Sequence, residues 1–228
     1  MDKLITALTS ELATVAEIAA AFGIDQGTPL TSVKAAIKTI GQYSRQLRRA
    51  VLEFWRGDTD AFGFIDAMTA AIDNQFRRAW REGMRDVGLD PTKDADASID
   101  TELEKRIADE INSYVIPFAE AIQKARTDGS PIDPLYSRVD MWVNRYNDIK
   151  NAGALAYSKE ERLEWVLGAT EHCATCQSLS GIIAFGHVWS ASPWRPQGHN
   201  LECGGYRCQC ALQRTDRRPT DRQPIDVR

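Results

Sequence analysis

No run of apolar residues in this chain is long enough to cross a bilayer or to serve as a signal-peptide core: Asp2, Lys3, Glu11 and Glu17 interrupt the apolar stretch from Met1 to Ile24. The expectation is a protein made and kept in the cytosol, with no membrane contact. Basic charge is not in excess either. Lys and Arg number 28 against 32 Asp and Glu, for a formal net charge of -4, which argues against a chain whose main task is to coat duplex nucleic acid. Any contact with DNA is expected to be local or indirect. Cysteine is absent from the first 172 residues, which excludes a disulfide framework there. At 228 residues, with 43% hydrophobic and 26% charged residues, the chain can bury a real core without staples.

What cysteine there is lies in one place. All five fall between Cys173 and Cys210, as Cys173-x-x-Cys176, then Cys203, Cys208 and Cys210. A close Cys-x-x-Cys pair can grip one tetrahedral Zn²⁺ from a single turn, and a later group supplies the remaining thiolates. In a reducing compartment, an odd set of clustered cysteines reads as metal ligands rather than as disulfides. Cys173, Cys176 and Cys203 are the first three candidates. Cys208 is the fourth by its shorter reach from Cys203, with Cys210 as the alternative, since alternate residues of an extended segment face the same way. His172 and His199 are further donors nearby. So many thiolates would fill the shell and leave no water-bearing position, so the expected ion is structural rather than catalytic.

Upstream, the periodicity is helical. Leu4, Leu8, Leu12, Val15 and Ile18 keep helical spacing, and Thr31 or Ser32 would cap a second helix through Val33, Ile37 and Ile40. A third apolar-basic stretch, Leu47 to Trp55, ends at Gly57. Phe62, Ile65, Met68, Ile72, Phe76, Trp80, Met84 and Val87 mark one face of a long helix closed by Gly88 and Pro91. Another runs through Leu103, Ile107, Ile111 and Val115, with Pro117 expected to kink or divide it before Phe118, Ile122 and Ala125. Asp128 to Pro134 reads as a loop, and Val139 to about Tyr157 as a helix. After that the pattern changes: Leu163 to Leu167 and Ile182-Ile183 read as short strands, and Gly186 to Gly205 as irregular chain. The fold class expected is mainly α, an amphipathic helical N-terminal region over 1–157 with a small C-terminal α+β zinc-binding module over 158–213. Residues 214–228 read as a disordered tail. The module has too little apolar material to stand alone, so a metal would supply what its core lacks.

Two enzyme classes bear comparison with the cysteine region. A zinc deaminase needs a His or Cys two residues before a Glu, and a Pro directly before the Cys pair. Neither is present. A His-Asn-His nuclease also braces a small site with cysteine pairs, and His187, His199 and Asn200 lie between these; its histidines usually stand closer together. Trp165, Trp189 and Trp194 read as the core of a metal module rather than as base-stacking platforms, because basic residues are not interleaved with them. Arg45, Arg48, Arg49, Arg77, Arg78 and Arg81 read as a solvated helix face or one set against an acidic partner.

Taken together, the chain resembles the minor head proteins of tailed bacteriophages, the head morphogenesis group related to the phage Mu F protein. The resemblance is most specific at the end, where Trp165, Cys173-Ala174-Thr175-Cys176, Leu179, Gly181, Trp189 and Pro196 precede Leu201-Glu202-Cys203 and Cys208-Gln209-Cys210. It also takes in Phe76 to Gly83 and Trp142-Val143-Asn144-Arg145-Tyr146. The family typically closes with Cys-Arg-Cys; here Cys208-Gln209-Cys210 takes that position and Cys203 replaces the upstream ligand. The resemblance implies a low-copy virion component without enzymatic activity, associated with the portal protein and the inner capsid or scaffold. It would act in head morphogenesis and in DNA packaging or delivery, first in the host cytoplasm and then in the virion head. No small-molecule substrate is implied.

Overall fold

Among the described residues nearly all regular structure is helix, and the one sheet found among them lies in the cysteine-bearing region. The computed structural model describes residues 30–168, 171–198, 200–205, 208 and 210–227, with side chains from Ile40 onward. The helix expected over Leu4 to Ile18 lies outside the described residues. No described helix is long and apolar enough to cross a membrane. The described residues divide into two compact units, residues 41–157 and residues 158–227 together with 30–40.

The 41–157 unit is built from five helices. Helix α1, Leu30–Arg56, is continuous where the sequence suggested two pieces: Gly41 sits inside it, and the single glycine's propensity cost of about 1 kcal/mol does not break a 27-residue helix. Helix α2, Ala61–Asp86, starts at Asp60, whose carboxylate accepts from the Gly63 N–H, and ends where Gly88 takes a positive φ. Helix α3, Ala97–Glu110, is capped by the Asp96 carboxylate at the Ser98 N–H. It passes through a π-turn, Ile111–Val115, into α4, Ile116–Thr127. The expected disturbance at Pro117 is therefore taken up just before it: Pro117 lies in the first turn of α4, where its missing N–H costs little. Helix α5, Asp133–Ala156, begins earlier than the apolar pattern suggested, because Pro134 in its first turn starts the helix rather than ending a loop.

The core of this unit is a row of aromatic rings. Phe54 stacks on Phe64 at 5.0 Å, Phe64 meets Phe118 edge-on at 6.0 Å, and Phe118 lies 5.3 Å from Trp142. Trp80 is fully buried and donates its indole N–H to Asp100 at 2.9 Å. Burial of each such side chain contributes about 2–3 kcal/mol. Helices α2 and α5 meet backbone to backbone. A Cβ on Gly83 would overlap the Lys150 carbonyl oxygen, and one on Gly153 would lie 2.6 Å from the Trp80 carbonyl oxygen. The Ala79-Trp80 and Gly83 run and the Trp142 to Tyr146 run therefore belong to two helices that this contact joins.

The second unit carries a three-stranded antiparallel sheet in the order β2-β1-β3, where β1 is Arg162–Val166, β2 Ile183–Phe185 and β3 Ala211–Arg214. Leu163 and Trp165 face inward on β1, opposite Ala184 and Leu212 respectively. Helix α6, Ala174–Leu179, lies between β1 and β2, and helix α7, Gly186–Ala191, follows β2 inside a stretch expected to be irregular. Strand β3 was not legible at all; four residues give too short a run to show alternation.

The stretch expected to be a loose tail is instead tied to the sheet. Thr220 exchanges hydrogen bonds with the backbone of Ile183, Arg217 pairs with Glu164 at 2.7 Å, and Gln223 and Asp226 cap a 3₁₀ turn over Pro224–Asp226. Val227 is buried. The exposed edge of β2 offers backbone groups that need partners, and Thr220 supplies them without any apolar pattern in the sequence.

The α2–α5 contact makes a clear prediction. Gly83→Ala should destabilise the protein by about 1–3 kcal/mol or more, because two backbones must separate to admit the methyl group. Gly41→Ala, where the nearest atom is the flexible end of Arg45 at 3.4 Å, should be neutral or stabilising by up to about 1 kcal/mol. Urea unfolding midpoints of the two variants measure the contrast.

Candidate metal centre

Three separate segments deliver the five cysteines to one place. Cys173 is the residue before α6, and Cys176 lies one turn into that helix, fully buried. Cys203 sits in the loop that follows α7, next to Gly204 and Gly205, both at positive φ. Cys208 and Cys210 immediately precede β3 and are both buried. All five are free thiols.

The hydrogen bonding explains why these segments stay together. The Glu202 carboxylate accepts from the Ala174 N–H at 2.9 Å, and the Thr175 hydroxyl accepts from the Glu202 N–H, so the loop carrying Cys203 is tied to the first turn of α6. Gln197 donates from its amide to the carbonyls of Cys208, at 3.1 Å, and Cys210, at 2.7 Å, tying both residues to one side chain. Gln197 itself takes a positive φ of 59°, a conformation that costs a non-glycine residue about 1 kcal/mol or more. Gly205 packs against its carbonyl so tightly that a Cβ there would overlap it. In the same unit, Trp165 and Trp189 lie 5.7 Å apart, both fully buried, and the Trp189 indole N–H donates to the Leu163 carbonyl at 3.0 Å. Gly181, at positive φ, donates its N–H to the Trp165 carbonyl.

The sulfurs form two groups of three. Cys173, Cys176 and Cys203 lie within 4.8 Å of one another, as do Cys176, Cys208 and Cys210. Of the four ligands expected from spacing, Cys173, Cys176 and Cys203 are thus brought together, whereas Cys208 groups with Cys176, 3.9 Å away, and with the alternative ligand Cys210. His172 joins the cluster from its edge, with Nδ1 3.6 Å from the Cys210 sulfur. Its position directly before Cys173 was the one sequence signal for it. Gln197 and Glu202 carried none, because nothing in their spacing marks a brace.

Protonation follows from this crowding. Hydrogen bonding from the Cys210 thiol and from backbone N–H groups brings Cys208 down to about 5 despite its burial. Cys210 is pushed far up by the same hydrogen bond and by burial, and Cys176 is pushed up by burial and by its neighbour Cys208. Burial raises Cys173 too, but hydrogen bonds at Cys176 and Cys203 outweigh it and its thiol is lowered. Negative charge is thus already favoured at Cys208 while adjacent thiols keep their protons. A soft metal ion would take the place of those protons, so the cluster could hold a metal ion.

Of the other residues singled out by sequence, His187 is exposed, rests flat on Phe185 at 5.6 Å and donates from Nδ1 to the Lys159 carbonyl at 2.9 Å. His199 lies outside the described residues. The Trp194 indole N–H is buried, and the residue as a whole is half-buried.

Comparison with protein-family models, with curated proteins and with solved structures finds no match to this chain.

Metal binding at such a cluster must be lost on acidification. A thiol whose pKa is held down to about 5, as Cys208 is, is a thiolate above that pH and is protonated as pH falls through it, and the raised thiols of Cys176, Cys203 and Cys210 take up their protons at higher pH still in the absence of metal. Protein loaded at neutral pH should release its metal cooperatively during an acid titration, taking up more than one proton per ion. A colorimetric chelator and a pH-stat measure the two quantities together.

Proposed function

We propose that this chain is a structural minor head protein of a tailed phage or prophage, associated with the portal vertex and acting in head morphogenesis and in DNA packaging or delivery. The observation that carries this reading is a coincidence of residues. Those that carry the resemblance to that group are the ones with defined structural work in the folded chain. Trp165, Leu179 and Trp189 are fully buried in the cysteine-bearing unit, and Gly181 makes the turn between α6 and β2. Cys173, Cys176, Cys203, Cys208 and Cys210 make the cluster, and Gly83 admits α5 against α2.

On this reading the cysteines hold structural zinc, with Cys173, Cys176, Cys203 and Cys208 as the ligands of one closed shell. The ion performs no reaction. It makes a rigid element of a region whose apolar floor is small, and the exposed faces of the helical unit, among them Phe62 and Met141, are available for contact with portal or inner capsid subunits. The neighbourhood of His187 supports a structural use for that residue over a nuclease role: one ring nitrogen is engaged by a carbonyl and the ring lies on Phe185.

Cys173→Ser and Cys203→Ser should each lower zinc content and reduce the amount of this protein in purified heads several-fold. Variants that keep both zinc and incorporation would overturn the proposal. In the same preparation, a supercoiled-plasmid nicking assay with Mg²⁺ should show no cleavage. Nicking by the wild type that is lost in His187→Ala or His199→Ala would replace the structural reading with a metal-braced nuclease.

A further inference from the structure

One zinc ion needs four ligands, yet six donors stand together in this cluster: five thiols and the imidazole of His172. A single ion would leave at least one buried thiol and the imidazole with no task. Two tetrahedral ions that share two ligands need six donors in all, which is the number present. We propose that the cluster holds two zinc ions in tetrahedra that share an edge. Cys176 and Cys208 bridge them, Cys173 and Cys203 complete the shell of the first, and Cys210 and His172 complete that of the second. The inference rests on the reading of this cluster as a zinc centre and concerns how many ions it takes.

The geometry favours this arrangement. The two groups of sulfurs are not separate sites, because Cys176 belongs to both. Cys208 Sγ stands 3.9 Å from Cys176 Sγ, although it lies outside the group formed by Cys173, Cys176 and Cys203. With Zn–S distances of about 2.3 Å, the edge of a tetrahedron is about 3.8 Å, and a sulfur–nitrogen edge is about 3.6 Å. The Cys176–Cys208 separation and the 3.6 Å between Cys210 Sγ and His172 Nδ1 are close to these values. Metal entry must draw Cys208 toward Cys173 and Cys203, and His172 toward Cys176 and Cys208, because only the two groups of three sulfurs already lie within 4.8 Å of one another.

The imidazole is set up for ligation. Its Nε2 lies 3.0 Å from the Gly168 carbonyl oxygen, an atom that only accepts, so Nε2 carries the proton and Nδ1 presents its lone pair to the cluster. A metal-bound histidine is commonly held in this way, its second nitrogen donating to a carbonyl. Charge points in the same direction. Five thiolates and a neutral imidazole around two dications leave a formal charge of about −1, whereas four thiolates around a single dication leave about −2 in a largely buried place.

The test is the number of zinc ions per chain, read by native mass spectrometry and elemental analysis during titration of the full-length metal-free protein with Zn²⁺. Saturation at two ions is expected, falling to one in His172→Ala and in Cys210→Ser. Saturation at one ion in the wild type overturns the inference and leaves the single structural zinc standing; no bound zinc at all removes both. Two ions in the wild type with no loss in His172→Ala would also overturn it. Should that variant fail to fold, cadmium NMR of the wild type decides: two resonances are expected, one displaced by a nitrogen ligand, and a single resonance, or an iron chromophore in the isolated protein, contradicts the assignment.

Discussion

Thiols gathered in one small space are the constraint on which the C-terminal unit is built. Five of them arrive from the turn before α6, the loop after α7 and the segment before β3. Sulfur atoms that close to one another gain little from packing alone. Two of them, Cys176 and Cys210, are almost fully buried and hold their protons tightly, while Cys208 gives its proton up easily. An ion that takes the place of the protons would convert this crowding into attraction, and its binding energy would become folding energy for the loops around it. The strained Gln197, the two glycines at positive φ beside Cys203 and the Glu202 brace are then understandable as the means by which short loops reach a common centre.

The helical unit follows a different logic. Its stability comes from a continuous apolar core, with a row of aromatic rings between helices and one contact where α2 and α5 approach closely enough that only glycine fits. It contains no cysteine, and ion pairs on its surface, such as Arg77 with Asp73 and Glu104, lie at the edge of the core rather than within it. Such surface pairs each contribute little. The helical unit is thus held by apolar burial, whereas the other unit gathers five thiols that could hold a metal ion and buries a pair of tryptophans.

This division bears on the proposed role. A structural part of a larger assembly needs surfaces of fixed shape more than it needs an open site for substrate. A closed metal cluster supplies rigidity cheaply in a unit of few residues, and long helices offer broad faces for partners. Among the residues that carry the resemblance to minor head proteins, Gly83 lets two backbones meet and Trp165 and Trp189 are fully buried.

Much of this could be seen in the chain before it was folded. The α2 stripe through Met68, Ile72, Phe76, Trp80 and Met84, the stops at Gly88 and Gly57, the short strand β1 and the cysteines as a single set all follow from local periodicity and spacing, because helices and short strands repeat their buried face at fixed intervals; the start of the stripe does not, since Phe62, expected on that face, is exposed and Phe64 is buried instead. Other features depended on contacts between residues far apart, which no local pattern records. The merging of two helical stretches into α1, the start of α5 at Asp133, strand β3, and the docking of Thr220 on the edge of β2 are of this kind. So is the grouping of the sulfurs. Spacing nominated Cys173, Cys176, Cys203 and Cys208, but whether Cys208 or Cys210 stands beside Cys176, and whether His172 faces them, depends on where the Gln197 loop and β3 come to rest. Residue types and their intervals determined which atoms could bind a metal; only the tertiary fold decided how those atoms are shared, because a ligand shell is defined by distances through space.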